Sequence, residues 1–246
     1  GRFGGHRTTK PRATAGGNST ASDEVGPPMR VIVIGGHGNV ARLLTPLLVA
    51  GSHEVTGVIR DPAHVEDLRA DGATPVVADV ESMDVEALAR LVHGHDAVVW
   101  SAGAGGGDPE RTYAVDRDAA IRSMEAAGRS WVKRYVMVSY FGAGPDHAVP
   151  EDNAFFAYAD AKSAADAHLE GSGLDWTILR PSRLTHDAPT GRIETSRTGA
   201  EPGSVSRADV ALVIAQALER PDLAGTVVEF NNGTVPVAEE LDASAA

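Results

Sequence analysis

From Arg30 onward the chain alternates short apolar, β-branched runs with longer segments in which apolar residues recur at helical spacing. The strand candidates are RVIVIG, EVTGVIR, TPVVADV, DAVVWSAG, RYVMVSY, DWTILRP and TVVEF, with helices between them. In VIVI and AVVW the apolar residues are consecutive instead of alternating, as in strands covered on both faces, hence in a parallel sheet. The pattern predicts an α/β fold with a doubly wound, Rossmann-like parallel sheet.

Punctuation residues agree. Asp61-Pro62 reads as an N-cap followed by proline at the first helical position; Ser82 is expected to cap the next helix through Leu91, and Gly94 to end it. Two irregular stretches, 142–153 and 182–204, are long enough to serve as substrate loops. The only compositional break precedes Met29, where residues 1–28 are rich in Gly, Ser, Thr and Pro without apolar periodicity, the composition of a disordered extension or a cloning remnant. Residues 29–246 then form one domain.

Composition narrows the chemistry. The chain has 246 residues, is 42% hydrophobic, and has no apolar run of membrane-spanning length or secretory signature, so a cytoplasmic protein without membrane contact is expected. Without cysteine, catalysis must use hydroxyls, amines, imidazoles or carboxylates. The formal net charge of -12 disfavours binding to a nucleic-acid backbone, and the few scattered aromatics form no stacking platform. A phosphate-bearing ligand would need local donors in a shaped pocket.

Such donors are the natural reading of VIVIGGHGNVAR. Gly35, Gly38 and Ala41 stand three residues apart between a buried strand and a helix. The first permits a tight turn, the second lets backbone N–H groups approach a pyrophosphate, and the third allows close packing of helix on strand. The plainer alternative is a strand-to-helix turn. The dinucleotide fingerprint also has an acid about 20 residues on, for a ribose hydroxyl. Here the second strand ends in Arg60, while Asp61 is placed to cap a helix. A guanidinium at that position suits a 2′-phosphate and so NADP; otherwise it is a solvated strand-end arginine. Asp79 and Val80 either border an adenine or, for Asp79, cap the next helix.

In FFAYADAKSAADAHLEGSGLDW, Tyr158 and Lys162 are one turn apart on one helix face. A protonated lysine beside a phenol lowers its pKa, letting it exchange a proton near a hydride transfer. Ser139, ending the strand YVMVS, is the candidate to position a substrate carbonyl, with Tyr140 its rival. An ordinary amphipathic helix would also carry this Tyr and Lys. Phe155 and Phe156 either flank a flat substrate or anchor the helix start. His93-Gly94-His95 lacks a third metal ligand at a recognisable spacing, and Gly103–Gly107 lacks the Lys-Ser/Thr of a Walker loop.

With VIRDP, VVADV, RYVMVSYFGA, RPSRL and SRADVALVIAQAL added to these motifs, the sequence resembles the short-chain dehydrogenase/reductase superfamily. It is most similar to the atypical NAD(P)H-binding branch that includes biliverdin reductase B-like flavin reductases and NmrA-like redox sensors. The resemblance covers nearly everything after Met29. It implies phosphate contacts at Gly35, His37, Gly38, Asn39 and Val40, a 2′-phosphate contact at Arg60, and adenine contacts at Asp79 and Val80. It further implies that Ser101, Ala102 and Gly103 pass beneath the cofactor, that Lys162 holds its ribose, and that Pro181, Ser182 and Leu184 approach the nicotinamide. Tyr158 would be the proton donor. Three positions depart from the pattern: His37 replaces the common Thr or Ser, Asp116 stands where many relatives keep Asn, and Ser139 precedes Tyr158 by an unusually long 19 residues.

The expected activity is NADPH-dependent reduction of a small carbonyl, quinone, flavin or similar acceptor. The alternatives are a noncatalytic NADP(H) sensor and an epimerase or dehydratase that retains NAD(P). Monomer and homodimer are both left open.

Overall fold

A computed structural model describes residues 26–246. Most of the expected N-terminal extension, residues 1–25, lies outside the described residues. The strands are β1 (Arg30–Ile34), β2 (Glu54–Ile59), β3 (Thr74–Val77), β4 (Ala97–Trp100), β5 (Arg134–Val138), β6 (Asp175–Pro181), β7 (Arg183–Thr185), β8 (Arg192–Thr195), β9 (Ser204–Ser206), β10 (Thr226–Asn232) and β11 (Val235–Pro236). The α-helices are α1 (Asn39–Ala50), α2 (Val65–Asp71), α3 (Val85–Val92), α4 (Pro109–Thr112), α5 (Ala120–Arg129), α6 (Phe156–Glu170), α7 (Arg207–Leu218) and α8 (Val237–Ala245). A π-helical stretch, Tyr113–Ala119, joins α4 to α5 without a break.

Nine strands form one sheet in the order β11-β8-β10-β6-β5-β4-β1-β2-β3. All pairings from β3 to β10 are parallel, and β8 closes that edge antiparallel to both β10 and β11. The fold is thus a Rossmann-like, doubly wound α/β domain, as the alternating pattern predicts. The consecutive apolar runs have the expected cause. All four residues of VIVI are fully buried, with Val31 and Val33 in the layer that holds α1 and α7, and Ile32 and Ile34 in the layer of α3 and α5.

Two local expectations need correction. Residues 182–204 are not irregular: they contain β7 and β8 and lead into β9, and β7 pairs with β9 as a separate two-stranded parallel sheet. These strands are three or four residues long and are held by distant partners, which local periodicity does not reveal. The cap of α3 is Asp84, which accepts from the Ala87 N–H at 2.8 Å; Ser82 instead donates to the Asp79 carbonyl at 3.0 Å. An aspartate side chain at the N-cap reaches the free N–H groups of the first turn. Asp61 does cap, accepting from the Ala63 N–H at 2.9 Å at the start of the short 3-10 turn Pro62–His64.

The chain reverses its direction of winding between β1 and β4, the neighbouring strands at the sheet's centre. Their carboxyl ends open a crevice, the usual ligand position in such sheets.

Candidate functional site

The crevice floor consists of the segments that follow β1 and β4. Gly35 has φ +87°, and a Cβ there would lie 2.6 Å from the Ala102 backbone; only glycine fits so close a crossing. Gly38 begins α1 without a side-chain cap, and the first turn of α1 carries no acidic residue. The N–H groups of that turn are therefore left for an external acceptor. Ala41, the third small residue of the cluster, is fully buried in the core. Together these residues fit a dinucleotide pyrophosphate.

On one side lies a cleft of about 320 Å³ lined by Gly35, His37, Arg60, Asp79 and Val80 among others. Arg60 is exposed and makes no ion pair or hydrogen bond among the described residues. The carboxylate after it is occupied by the Asp61 cap, as the sequence indicates. Asp79 closes a turn, accepting from the Glu81 N–H at 3.2 Å, and caps no helix. His37 is neither loose nor aimed freely at solvent. Its Nε2 lies 2.8 Å from Asp67 Oδ2, and its ring stacks on His64 at 3.5 Å between centroids. The hydrogen bond to His37 and the nearby Arg42 charge hold the Asp67 carboxyl below its ordinary pKa.

On the other side a cavity of about 730 Å³ is lined by Gly38, Asn39, Val40, Ser139, Tyr158, Lys162, Pro181, Ser182 and Leu184, all singled out in the sequence. Ser101, Ala102 and Gly103 line both spaces and connect them. Each position carried over from the family resemblance therefore lines the two adjoining spaces.

Two chemical expectations fail within this cavity. Lys162 does not lower the Tyr158 pKa. Burial, with the Asp116, Asp166 and Tyr140 groups adding to it, pushes the phenol well above its ordinary value. Lys162 is itself fully buried, its amine bonded only to Met137 Sδ at 3.2 Å. Burial lowers its pKa against the opposing pull of Asp166 and Asp116. Nor does Ser139 hold a proton free for a substrate carbonyl. Its Oγ donates to Asp166 Oδ2 at 2.7 Å, so only its lone pairs face the cavity.

Asp166 and Arg180 are the residues that sequence reasoning missed. Arg180 Nε donates to the same Asp166 oxygen at 3.1 Å, joining β5, α6 and β6 behind the cavity wall. The available signal was spacing, since Asp166 continues the 158, 162 face by one more turn. Asp116, in the π-helical stretch, is 1% exposed and accepts from the Ala104 N–H at 3.1 Å; burial raises its pKa. Tyr140, Phe155 and Tyr158 form a cluster of three rings with centroids 5.1–5.6 Å apart. The Tyr140 hydroxyl is buried without a partner. Phe155 thus belongs to the cavity wall, while Phe156 packs edge-on against His147.

A doubly wound sheet, a glycine-lined crossing at its switch point and an uncapped helix above it define an NAD(P)-binding Rossmann protein of the short-chain dehydrogenase/reductase type. The chain belongs to the NAD(P)H-binding family, whose model matches residues 35–221. It is 33% identical to the Bacillus subtilis protein YhfK, called an uncharacterized sugar epimerase, over 87% of this chain and 99% of that protein. Among solved structures, a putative NAD-dependent epimerase/dehydratase from Bacillus halodurans superposes with a TM-score of 0.80 at 33% identity, covering 87% of this chain and 99% of that one. The oxidoreductase ylbE from Lactococcus lactis superposes with a TM-score of 0.78 at 28% identity, covering 87% and 96%. The family is thus oxidoreductase- and epimerase-like and uses a nicotinamide cofactor. Among the described residues no helix is long and apolar enough to cross a membrane.

Proposed function

We propose that the protein is a cytoplasmic NADPH-dependent reductase acting on a small carbonyl, quinone, flavin or similar acceptor. A bound nicotinamide supplies the hydride. The chain's part is to bind, orient and protonate. The N–H groups at Asn39 and Val40, reached across Gly38, hold the pyrophosphate, Arg60 the 2′-phosphate, and Asp79 and Val80 the adenine. Lys162 holds the ribose, and Pro181, Ser182 and Leu184 border the nicotinamide. Tyr158 donates the proton, and Ser139, its own proton held by Asp166, shapes the cavity wall beside it.

The observation that carries the choice of NADPH is Arg60: a guanidinium with no partner on a protein of net charge -12, at the end of β2. Unpaired cations on so acidic a chain are scarce, and a guanidinium matches a phosphate monoester. The raised Tyr158 pKa keeps the phenol in the protonated form, the form in which it can give a proton, throughout the neutral range.

Titration with NADPH and NADH, for the wild type and Arg60→Ala, tests this reading. Preference for NADPH that Arg60→Ala reduces about tenfold or more supports it, whereas equal binding of both nucleotides by the wild type overturns the NADPH assignment. Turnover with no member of a broad acceptor panel overturns reductase activity. The names of the two Bacillus relatives favour one second reading, an epimerase or dehydratase, for which NAD(P) would stay bound through gel filtration.

A further inference from the structure

We propose that Arg183 and Arg207 form an anion-binding subsite, so that the substrate carries a carboxylate or a similar anionic group. The inference rests on the reductase reading and adds the class of substrate to it. Among the described residues, the arginines that make neither an ion pair nor a hydrogen bond are Arg60, Arg183, Arg197 and Arg207. Three of these four line the two spaces at the switch point, Arg60 on the cofactor side and Arg183 and Arg207 on the other. On a chain with 34 acidic and 22 basic residues, a cation without a carboxylate partner has been kept away from the abundant opposite charge. The larger cavity has one carboxylate on its wall, Asp116, against the cations Lys162, Arg183 and Arg207.

Both arginines border the two-stranded sheet that sequence reading missed, at opposite ends of its register, and both line the cavity. Arg183 opens β7 and pairs in register with Ser204 of β9, and Arg207 follows the last residue of β9 as the first of α7. Ser206 caps α7 by accepting from the Asp209 N–H, so the loop that presents Arg207 is fixed from beneath. Each guanidinium offers its own fork of donors to a carboxylate or a similar anion entering the cavity. The Tyr140, Phe155 and Tyr158 rings line the same cavity and supply an apolar wall for the rest of the molecule. A ligand held by the arginines thus shares the cavity with the rings and with Tyr158.

The test uses matched probes on the full chain saturated with NADP+: 2-naphthoate, and 2-naphthamide as its uncharged counterpart, with binding followed by calorimetry. The expected result is about tenfold or greater preference for naphthoate, lost in Arg183→Gln/Arg207→Gln, with the NADPH Kd of that variant unchanged. Naphthoate binding no tighter than naphthamide, including no binding of either, overturns the subsite. So does a preference that survives in the double variant. A raised NADPH Kd in the variant also overturns it, because the arginines would then serve the cofactor. Failure of the wild type to bind NADPH is read separately and sinks the reductase reading first.

Discussion

The Ser139 hydroxyl and the Asp166 carboxylate meet at 2.7 Å, and Arg180 reaches the same oxygen from the neighbouring strand β6. One bond thereby removes Ser139 from the list of substrate donors and gives it the task of anchoring a buried acid. Asp166 is 1% exposed, and the Arg180 side chain is 11% exposed, so neither charge has water to fall back on.

Truncating the acid leaves the guanidinium with only the longer contacts to Glu170 and Glu229, at 3.6 and 3.9 Å. Asp166→Ala is expected to lower stability by roughly 3–5 kcal/mol, the usual cost of orphaning one member of a buried pair. Urea denaturation of the two proteins measures this directly. A loss below about 1 kcal/mol would mean that the buried charges are not held by one another.

Gly35→Ala should remove nucleotide binding. The new methyl group would sit 2.6 Å from the Ala102 backbone at a φ of +87°, so the two floor segments must separate. The strained backbone alone costs about 1–3 kcal/mol. NADPH titration by fluorescence is expected to show at least a hundredfold weaker binding, together with a lower melting temperature.

For Tyr158→Phe the expected pattern is a kcat lowered by about 10²–10⁴, the usual worth of a positioned proton donor, with an unchanged NADPH Kd. The wild-type phenol has its pKa raised by burial and by Asp116 and Asp166. A group that holds its proton more tightly loses it later, so kcat should show no decline from this donor between pH 7 and the ordinary tyrosine value of about 10. A decline centred near pH 8, absent from the Phe variant, would contradict the site electrostatics.

Asp209 offers a stability test remote from the catalytic side chains. Burial raises its pKa, but N–H groups of Thr190 and Gly191 and the Ser206 and Asn232 side chains all donate to its carboxylate, and the net effect is a value below the ordinary 3.8. A depressed folded-state pKa stabilises the fold above the unfolded-state value and loses that contribution as pH falls through the folded one. Asp209→Asn should therefore be less stable than wild type by about 1.5–3 kcal/mol at pH 7. The gap should narrow below pH 4 in parallel thermal melts.

Much of this architecture is legible in the residues because it is local. VIVI and AVVW announce strands buried on both faces, Asp61-Pro62 announces a cap, and the glycine cluster announces a close crossing. Strands β7, β8, β9 and β11 escaped because two to four residues carry no periodicity, and their partners lie far along the chain. The electrostatics of the site escaped for a related reason. Tyr158, Lys162 and Asp166 follow one another at helical spacing, which is local, but the burial that chiefly raises the phenol's proton affinity and the charge of Asp116 in the π-helical stretch are not. Spacing shows which side chains share a face; burial and non-local charge then set how tightly each holds its proton.

The π-helical stretch Tyr113–Ala119 makes chain length itself a functional variable. In such a turn each N–H reaches one residue further back than in an α-helix, so the segment behaves as a helix that has taken in an extra residue. Removing one residue there would restore ordinary winding at the cost of turning one flank against the other by about 100°. Asp116 would swing off the cavity wall, away from Gly103 and the Ala104 N–H. A deletion in this helix, with every cavity-lining side chain retained, is therefore enough to separate the acid from the phenol it influences.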